Sequence, residues 1–368
     1  MGFQKILVFL IFIGIGLVLK TKFKSKSEIT GLKKVILNLA LPATIFIALL
    51  SVDVKGELLL LPVLALALNF ILYFTAPLVL PTIGIEKNSP NYNTVRLLFP
   101  SLAPGLSCFP FVLEFLGDSF LAQAAMADLG NKIFVLIILY LIAMQWYLKK
   151  HAKATKFNKA KLLDLLKVLA FEPVNLFIAA ALILMVLGLH MENLPYAIAE
   201  SLSRISLLMT PLVLLFIGLA VNIQKKQFAQ LFSLLTLRAA ASFLIIGLLS
   251  VFIPMETNTV LLALAFSLSA CSFWPYAHIA AIETMENDVE SQKKTFNGNF
   301  AISMLALSFP LSTILIMAIL NSGTVFGNPL YLFLTAVALF VCGAIYPSLK
   351  ALKTRRKQTW KEEPAYEG

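Results

Sequence analysis

Eleven apolar runs punctuate this chain, near residues 3–20, 31–51, 58–81, 93–116, 119–147, 173–190, 199–222, 231–253, 259–282, 297–320 and 329–350. Each is long enough to cross the roughly 30 Å hydrocarbon core of a bilayer. The runs are continuous rather than alternating with polar residues, so helices and not barrel strands are the expected spanning structure. Composition agrees: hydrophobic residues make up 59% and charged residues 13%, and mean hydropathy is +0.88. Soluble domains hold roughly 45–50% apolar residues. The chain reads as an all-α integral membrane protein.

A net charge of +11 would suit nucleic-acid binding, but the positions of the 30 Lys and Arg exclude it. With the N-terminus outside, 25 of them fall on one side of eleven alternating spans and only Lys5, Lys55 and Arg204 on the other; Lys132 and Arg238 lie within spans. This asymmetry predicts a cytoplasmic C-terminus in a multi-pass inner (cell) membrane protein. The basic tail around Arg355-Arg356-Lys357 could touch anionic lipid. The apolar run at 6–19 reads as a retained span rather than a signal peptide, having one Lys before it, many after it and no small-residue cleavage site. Three cysteines inside spans, Cys108, Cys271 and Cys342, support neither disulfides nor a metal site.

A duplication organises the spans. Ser107-Cys108-Phe109-Pro110-Phe111 recurs as Ser272-Phe273-Trp274-Pro275-Tyr276, Pro42 as Pro211, and Gly130-Asn131 as Gly298-Asn299, all at offsets near 168. The expected fold is an inverted repeat: a first five-helix unit at 1–148, a cytoplasmic linker at 149–172, a second unit at 173–322, an extra transmembrane helix at 323–350 and a basic tail at 351–368. Five crossings per unit make the second enter from the opposite face, a signature of secondary transporters. Within the linker, Lys161–Phe171 has amphipathic helical spacing suited to lying on the cytoplasmic surface. The extra helix reads as peripheral, suited to a homodimer contact.

Both matched prolines break a span. Ala103-Pro104-Gly105-Leu106-Ser107-Cys108-Phe109-Pro110 in span four and Ser267 to Pro275 in span nine are expected to leave half-helices starting at Pro110 and Pro275. Their free N–H groups and partial positive charges would converge near the bilayer centre as an anion site. The alternative is two proline kinks in ordinary packed helices. Candidate substrate contacts here are Gly105, Ser107, Pro110, Ser269, Ser272, Pro275 and Tyr276.

Ionisable residues inside spans are costly and mark function by default. Asp128, Asn131 and Lys132 share a helical face at i, i+3 and i+4, and the offset pairs the two charged residues with Phe296 and Phe300. Asp128 could carry a proton or cation while Lys132 meets a carboxylate; equally, they could be a self-satisfied packing pair. His278 and Glu114, just past the two prolines, are further coupling candidates, against the bland alternative of a hydrogen-bonded packing histidine. Asn38, one turn before Pro42, reads as facing the break, to hydrogen-bond substrate or freed backbone. Glu283, Glu286, Asp288 and Glu290 read as a solvated turn.

Several of these stretches together resemble the auxin efflux carrier family of membrane transporters. They are Leu37-Asn-Leu-Ala-Leu-Pro-Ala-Thr-Ile-Phe46, Phe109-Pro110 through Phe115-Leu-Gly117, Asp128-Leu-Gly-Asn131, Pro211-Leu-Val-Leu-Leu-Phe-Ile-Gly-Leu219 and Trp274-Pro275, within residues 1–322. The resemblance implies a ten-helix inverted repeat whose helices four and nine cross at their breaks around the substrate, and elevator-like transport of small organic anions. Bile-acid sodium symporters are more distant relatives. Where the family usually has an asparagine seven residues before the span-four proline, this chain has Ala103, so auxin-like substrates do not follow.

The expected function is therefore secondary transport of a small organic acid, proton-coupled, without a cofactor. The alternatives are a sodium-coupled symporter and a non-transporting ligand sensor. No His-Glu-x-x-His, Gly-x-Ser-x-Gly or P-loop supports a membrane enzyme, and His151 and His190 lie at membrane borders without a shared motif.

Overall fold

The computed structural model describes residues 2–23, 25–51, 56–151, 159–220, 227–286, 289–290 and 293–362. Residues 152–158 of the linker, Lys55, Lys225, Lys226, Asp288 and the last six residues of the tail lie outside them. Among the described residues every regular element is helical and no strand occurs. In order they are α1 (Gly2–Leu19), α2 (Lys26–Val35), α3 (Leu41–Leu50), α4 (Leu61–Val79), α5 (Pro90–Leu98), α6 (Pro104–Ser107), α7 (Phe109–Leu116), α8 (Asp118–Ile133) and α9 (Leu139–His151). There follow α10 (Lys159–Phe171), α11 (Pro173–Val186), α12 (Tyr196–Leu207), α13 (Met209–Ala220), α14 (Phe228–Phe252), α15 (Thr257–Ser267), α16 (Phe273–Met285), α17 (Gly298–Leu320) and α18 (Pro329–Glu362).

Among the described residues seven segments are long and apolar enough to cross a membrane unbroken: Ser27–Leu50, Leu58–Ile83, Asp118–His151, Tyr196–Ala220, Phe228–Phe252, Gly298–Leu320 and Pro329–Ser348. An eighth forms if α10 and α11, bent by 57° at Glu172, count as one span. Pro173 explains that bend: it starts α11 and holds Glu172 in an extended conformation. The three other runs read from sequence are shorter or interrupted. Gln4–Leu19 is a short apolar helix, run four is cut into α5, α6 and α7, and run nine into α15 and α16.

Local chemistry sets these boundaries. Ser25 and Glu28 form a capping box on α2, Ser89 caps α5 ahead of Pro90, and Asn297 caps α17 through the Phe300 N–H. Pro42 cannot donate to the Asn38 carbonyl, and its ring would press on it. The helix widens ahead of it into a π turn at Ile36–Ala40, where the Leu41 N–H reaches Ile36 O. The matched Pro211 sits instead just inside α13, after a turn at Leu208.

Glycines let helices touch backbone to backbone. A Cβ on Gly218 would fall on the Ile13 carbonyl of α1, one on Gly16 on the Leu215 carbonyl of α13, and one on Gly130 on the Pro62 carbonyl. Gly14 has open space around it. Gly218→Val is therefore expected to lower the melting temperature of the detergent-solubilised protein, by overpacking worth about 1–3 kcal/mol or more, while Gly14→Val leaves it unchanged. Equal melting curves for the two variants would contradict this packing. The extra helix α18 lies along α14, where the Ser233 hydroxyl donates to the Gly343 carbonyl. Its other face leaves Leu334, Val337, Val341 and Ile345 exposed as an apolar stripe.

Candidate functional site

The two interruptions are joined to each other. In run four, Pro100, Pro104 and Pro110 each lack an N–H and disfavour helix in the residue before them, so 99–103 leaves the helix and Cys108 separates α6 from α7. In run nine, Leu268–Ser272 is non-helical. The Ala103 N–H donates to Ala270 O (2.8 Å), the Ala270 N–H to Ser107 Oγ (2.9 Å), and the Ser272 N–H to Ser101 Oγ (3.1 Å). Ser107 Oγ in turn donates to Ala103 O (2.8 Å). Beyond the breaks, α7 packs on α15 and α16 on α5, so each second half lies against the other span's first half.

Freed backbone groups in a dry interior must find partners, and four neighbouring helices supply them. Arg238 of α14, only 4% exposed, donates from Nε to Phe99 O (2.7 Å), from one terminal nitrogen to Ser269 O (2.9 Å) and from the other to Ser101 O (3.1 Å). It has no carboxylate partner among the described residues. Asn69 of α4 donates to Pro100 O (2.7 Å), Asn131 of α8 to Leu102 O (3.0 Å), and Ser308 Oγ of α17 accepts from the Cys271 N–H (3.1 Å). Asn69 and Arg238 are 169 residues apart, the spacing of Pro42 and Pro211.

Beside this crossing lies a cleft of about 110 Å³. Its walls are Leu102 to Leu106 of the first break, Ser272, Phe273 and Trp274 of the second, and Leu37, Leu41, Val135 and Val174. Leu37 belongs to the π turn before Pro42 and Val135 to a second π turn at Phe134–Ile138, a local widening that recurs at functional sites. Four ionisable side chains line it: Lys33, Asp128, Lys132 and Glu172. Lys132 Nζ lies 3.6 Å from Asp128 Oδ2, 3.1 Å from Glu172 Oε2 and 3.0 Å from Asn175 Oδ1. Asn131 Nδ2 also donates to Asp128 Oδ1 (2.8 Å), tying the charged cluster to the first break. Lys33 Nζ stands 4.7 Å from the centre of the Phe273 ring.

The sequence-derived residues divide by place. Asp128, Asn131, Lys132, Gly105 and Ser272 line the cleft. Ser107 and Ser269 are buried in the crossing, their polar groups engaged in holding it. Neither Pro110 nor Pro275 is the first residue of its half-helix: α7 starts at Phe109 and α16 at Phe273, with Ser272 accepting from the Trp274 N–H (3.4 Å). The cleft thus meets the start of α16 and the short α6 rather than two converging half-helix ends. Tyr276 packs on Phe273 at the periphery (5.2 Å). Asn38 is exposed and outside the cleft, which its neighbours Leu37 and Leu41 line instead. His278 is buried, with Nε2 2.9 Å from Val135 O and its ring on Tyr140. Glu114 pairs with Lys5 at 3.2 Å, away from the cleft.

Two further expectations are corrected. The acidic cluster is not simply a solvated turn: the Glu286 side chain is buried, accepts from the Thr295 N–H (3.0 Å), and meets His151 Nε2 at 2.6 Å. Glu283 accepts from the Gly298 N–H (2.8 Å). The Gly130-Asn131 and Gly298-Asn299 pairs are not structurally equivalent. The first is inside α8; the second opens α17, with Asn299 exposed, and Ser308 is the residue of α17 that reaches the break. Asn69, Lys33, Glu172 and Asn175 were not among the sequence-derived site residues, and Arg238 was read only as a cation within a span. The available signal was a cation inside a span at the repeat offset from a span-internal asparagine.

By helix length and hydropathy the chain is a multi-pass helical integral membrane protein. No protein-family model matches it, and no curated protein matches its sequence.

Proposed function

We propose that the protein is a secondary transporter of small organic anions, of the auxin efflux carrier type, working by alternating access around its two interrupted spans. The observation that carries this reading is the mutual hydrogen bonding of the two breaks beside a cleft with ionisable walls. Irregular backbone at membrane depth is tolerated where it is buried in protein or lines a cavity, and transporters use it to hold substrate. The crosswise packing of α5 with α16 and α7 with α15 supports two inverted five-helix units with helices four and nine crossing. The matched donors Asn69 and Arg238 support it further. With the N-terminus outside, as the Lys and Arg distribution favours, the Lys33 and Glu172 end of the cleft faces the cytoplasm.

Two features support coupling to protons rather than sodium. The carbonyls of Phe99, Ser101 and Ser269, of the kind that would coordinate sodium at a break, are held by the Arg238 guanidinium. The cleft's two lysines and two carboxylates balance, so an entering anion leaves one negative charge in excess, which a proton on Asp128 or Glu172 neutralises.

The test is uptake of labelled propionate, lactate, malonate and indole-3-acetate into proteoliposomes, with an inward proton gradient, an inward sodium gradient or neither. Saturable uptake of an acid driven by the proton gradient is expected. Sodium-driven uptake would overturn the coupling, and binding without flux would favour the sensor.

A further inference from the structure

Of the two ammonium groups in the cleft, one is spent. Lys132 has three donors and three acceptors around it, Asp128, Glu172 and Asn175. Lys33 differs. It is half-buried, lines the same cleft, and among the described residues its Nζ meets no carboxylate or carbonyl, only the face of Phe273 at 4.7 Å. An ammonium partly withdrawn from water with only a ring face for company retains its capacity for charge-assisted hydrogen bonds. It belongs to α2, at the first turns of a membrane span, where a lysine would ordinarily be counted as a topology anchor.

We infer that Lys33 is the substrate anchor, and that the substrate is a short-chain monocarboxylate of about two to four carbons. This rests on the carrier reading and narrows it. Size sets the upper bound. The cleft of about 110 Å³ is smaller than the roughly 150 Å³ cavity that accepts a benzene ring, so a short chain is held within it while an indole or phenyl acid would project from its open side. Charge sets the number of carboxylates. A carboxylate at Lys33 has a free cation, whereas the second carboxylate of a diacid would approach Asp128 and Glu172, between which Lys132 is already shared. The walls accept the remainder of the molecule: Leu37, Leu41 and Val135 form an apolar side for a methyl or ethyl group, and Phe273 closes over the lysine. Among the described residues the Lys33 side chain joins no ion pair or helix cap, so its replacement tests binding without undoing structure.

Two measurements on the full-length protein decide the matter: equilibrium binding of labelled propionate in detergent, and proteoliposome uptake. Each is made for the wild type, Lys33→Gln and Lys33→Arg, with acetate, butyrate, hexanoate, succinate and indole-3-acetate as competitors. Melting curves establish that the variants are folded. Propionate binding is expected to weaken about tenfold or more in Lys33→Gln, the effect of one lost charge-assisted hydrogen bond, and to recover to within a few-fold in Lys33→Arg. Acetate and butyrate should compete, with hexanoate, succinate and indole-3-acetate much weaker. Unchanged binding in a folded Lys33→Gln overturns the anchor. Equal competition by succinate or indole-3-acetate overturns the substrate class, even if flux is robust and the carrier reading stands. Lys33-dependent binding of propionate without flux upholds the site while removing the carrier. A folded wild type that binds no monocarboxylate overturns the inference.

Discussion

Arg238→Met is expected to cost more stability than any other single change at the crossing and to abolish uptake. Methionine fills a similar volume but donates nothing, leaving the carbonyls of Phe99, Ser101 and Ser269 without the guanidinium. Each buried carbonyl that loses its donor costs about 1–3 kcal/mol. Removing a buried cation recovers some desolvation energy, but the guanidinium was already compensated by these bonds while the orphaned carbonyls are not. A net loss of about 3 kcal/mol or more would lower the melting temperature by roughly 5–10 °C. Arg238→Lys should fall between, because one ammonium cannot span carbonyls on both segments as a planar fork does. Ser242→Ala, which removes a single 3.3 Å bond to Ser267 O, is the mild control. A methionine variant that melts and transports like the wild type would remove the role assigned to Arg238.

The second large effect is expected at Lys132. Lys132→Met leaves Asp128 and Glu172 in one cleft without the cation between them, and breaking a buried charge cluster by removing one partner costs about 3–5 kcal/mol. Removing the carboxylates as well should reverse the damage to stability. The triple variant Asp128→Asn, Lys132→Met, Glu172→Gln should melt close to the wild type, while on the proposed coupling uptake stays lost because neither carboxylate is left to take the proton. A coupling of about 1–3 kcal/mol between Lys132→Met and the carboxylate changes, read from the differences in melting, is the expected signature. If Lys132→Met proves no less stable than the triple variant, the cluster is not the electrostatic unit described.

The crossing was legible in the sequence where the chemistry is local and invisible where it is tertiary. Prolines at 104, 110 and 275 act on their own backbone, so the interruptions could be located from them. The partners of the freed groups come from α4, α8, α14 and α17, and no pattern near Pro104 announces an arginine well over a hundred residues away. Asp128 and Lys132 share a face by helical periodicity, but Glu172 joins them only because α10 and α11 bend there. Asn38 illustrates a subtler limit. Ordinary helical spacing turns it toward the break, but the π turn at Ile36–Ala40 carries an extra residue, which rotates the face by about 100° and brings Leu37 and Leu41 to the cleft. The Gly298-Asn299 pairing failed for a related reason, since the chain between Met285 and Gly298 is not continuous helix and fixed-offset counting loses its register there.

On the proposed duplication, Asn69 and Arg238 occupy the same rung of the two halves, one neutral and one bearing a full charge with no counter-ion beside it among the described residues. Two interchangeable halves would give states of equal energy facing either compartment. A guanidinium without a counter-ion, if it rides with the crossing, would instead feel the transmembrane voltage, about 2.3 kcal/mol per 100 mV for passage through the whole field. In the proposed carrier a cell interior held negative would draw the crossing inward, and the resting orientation of the protein would be a property of the membrane as much as of the polypeptide.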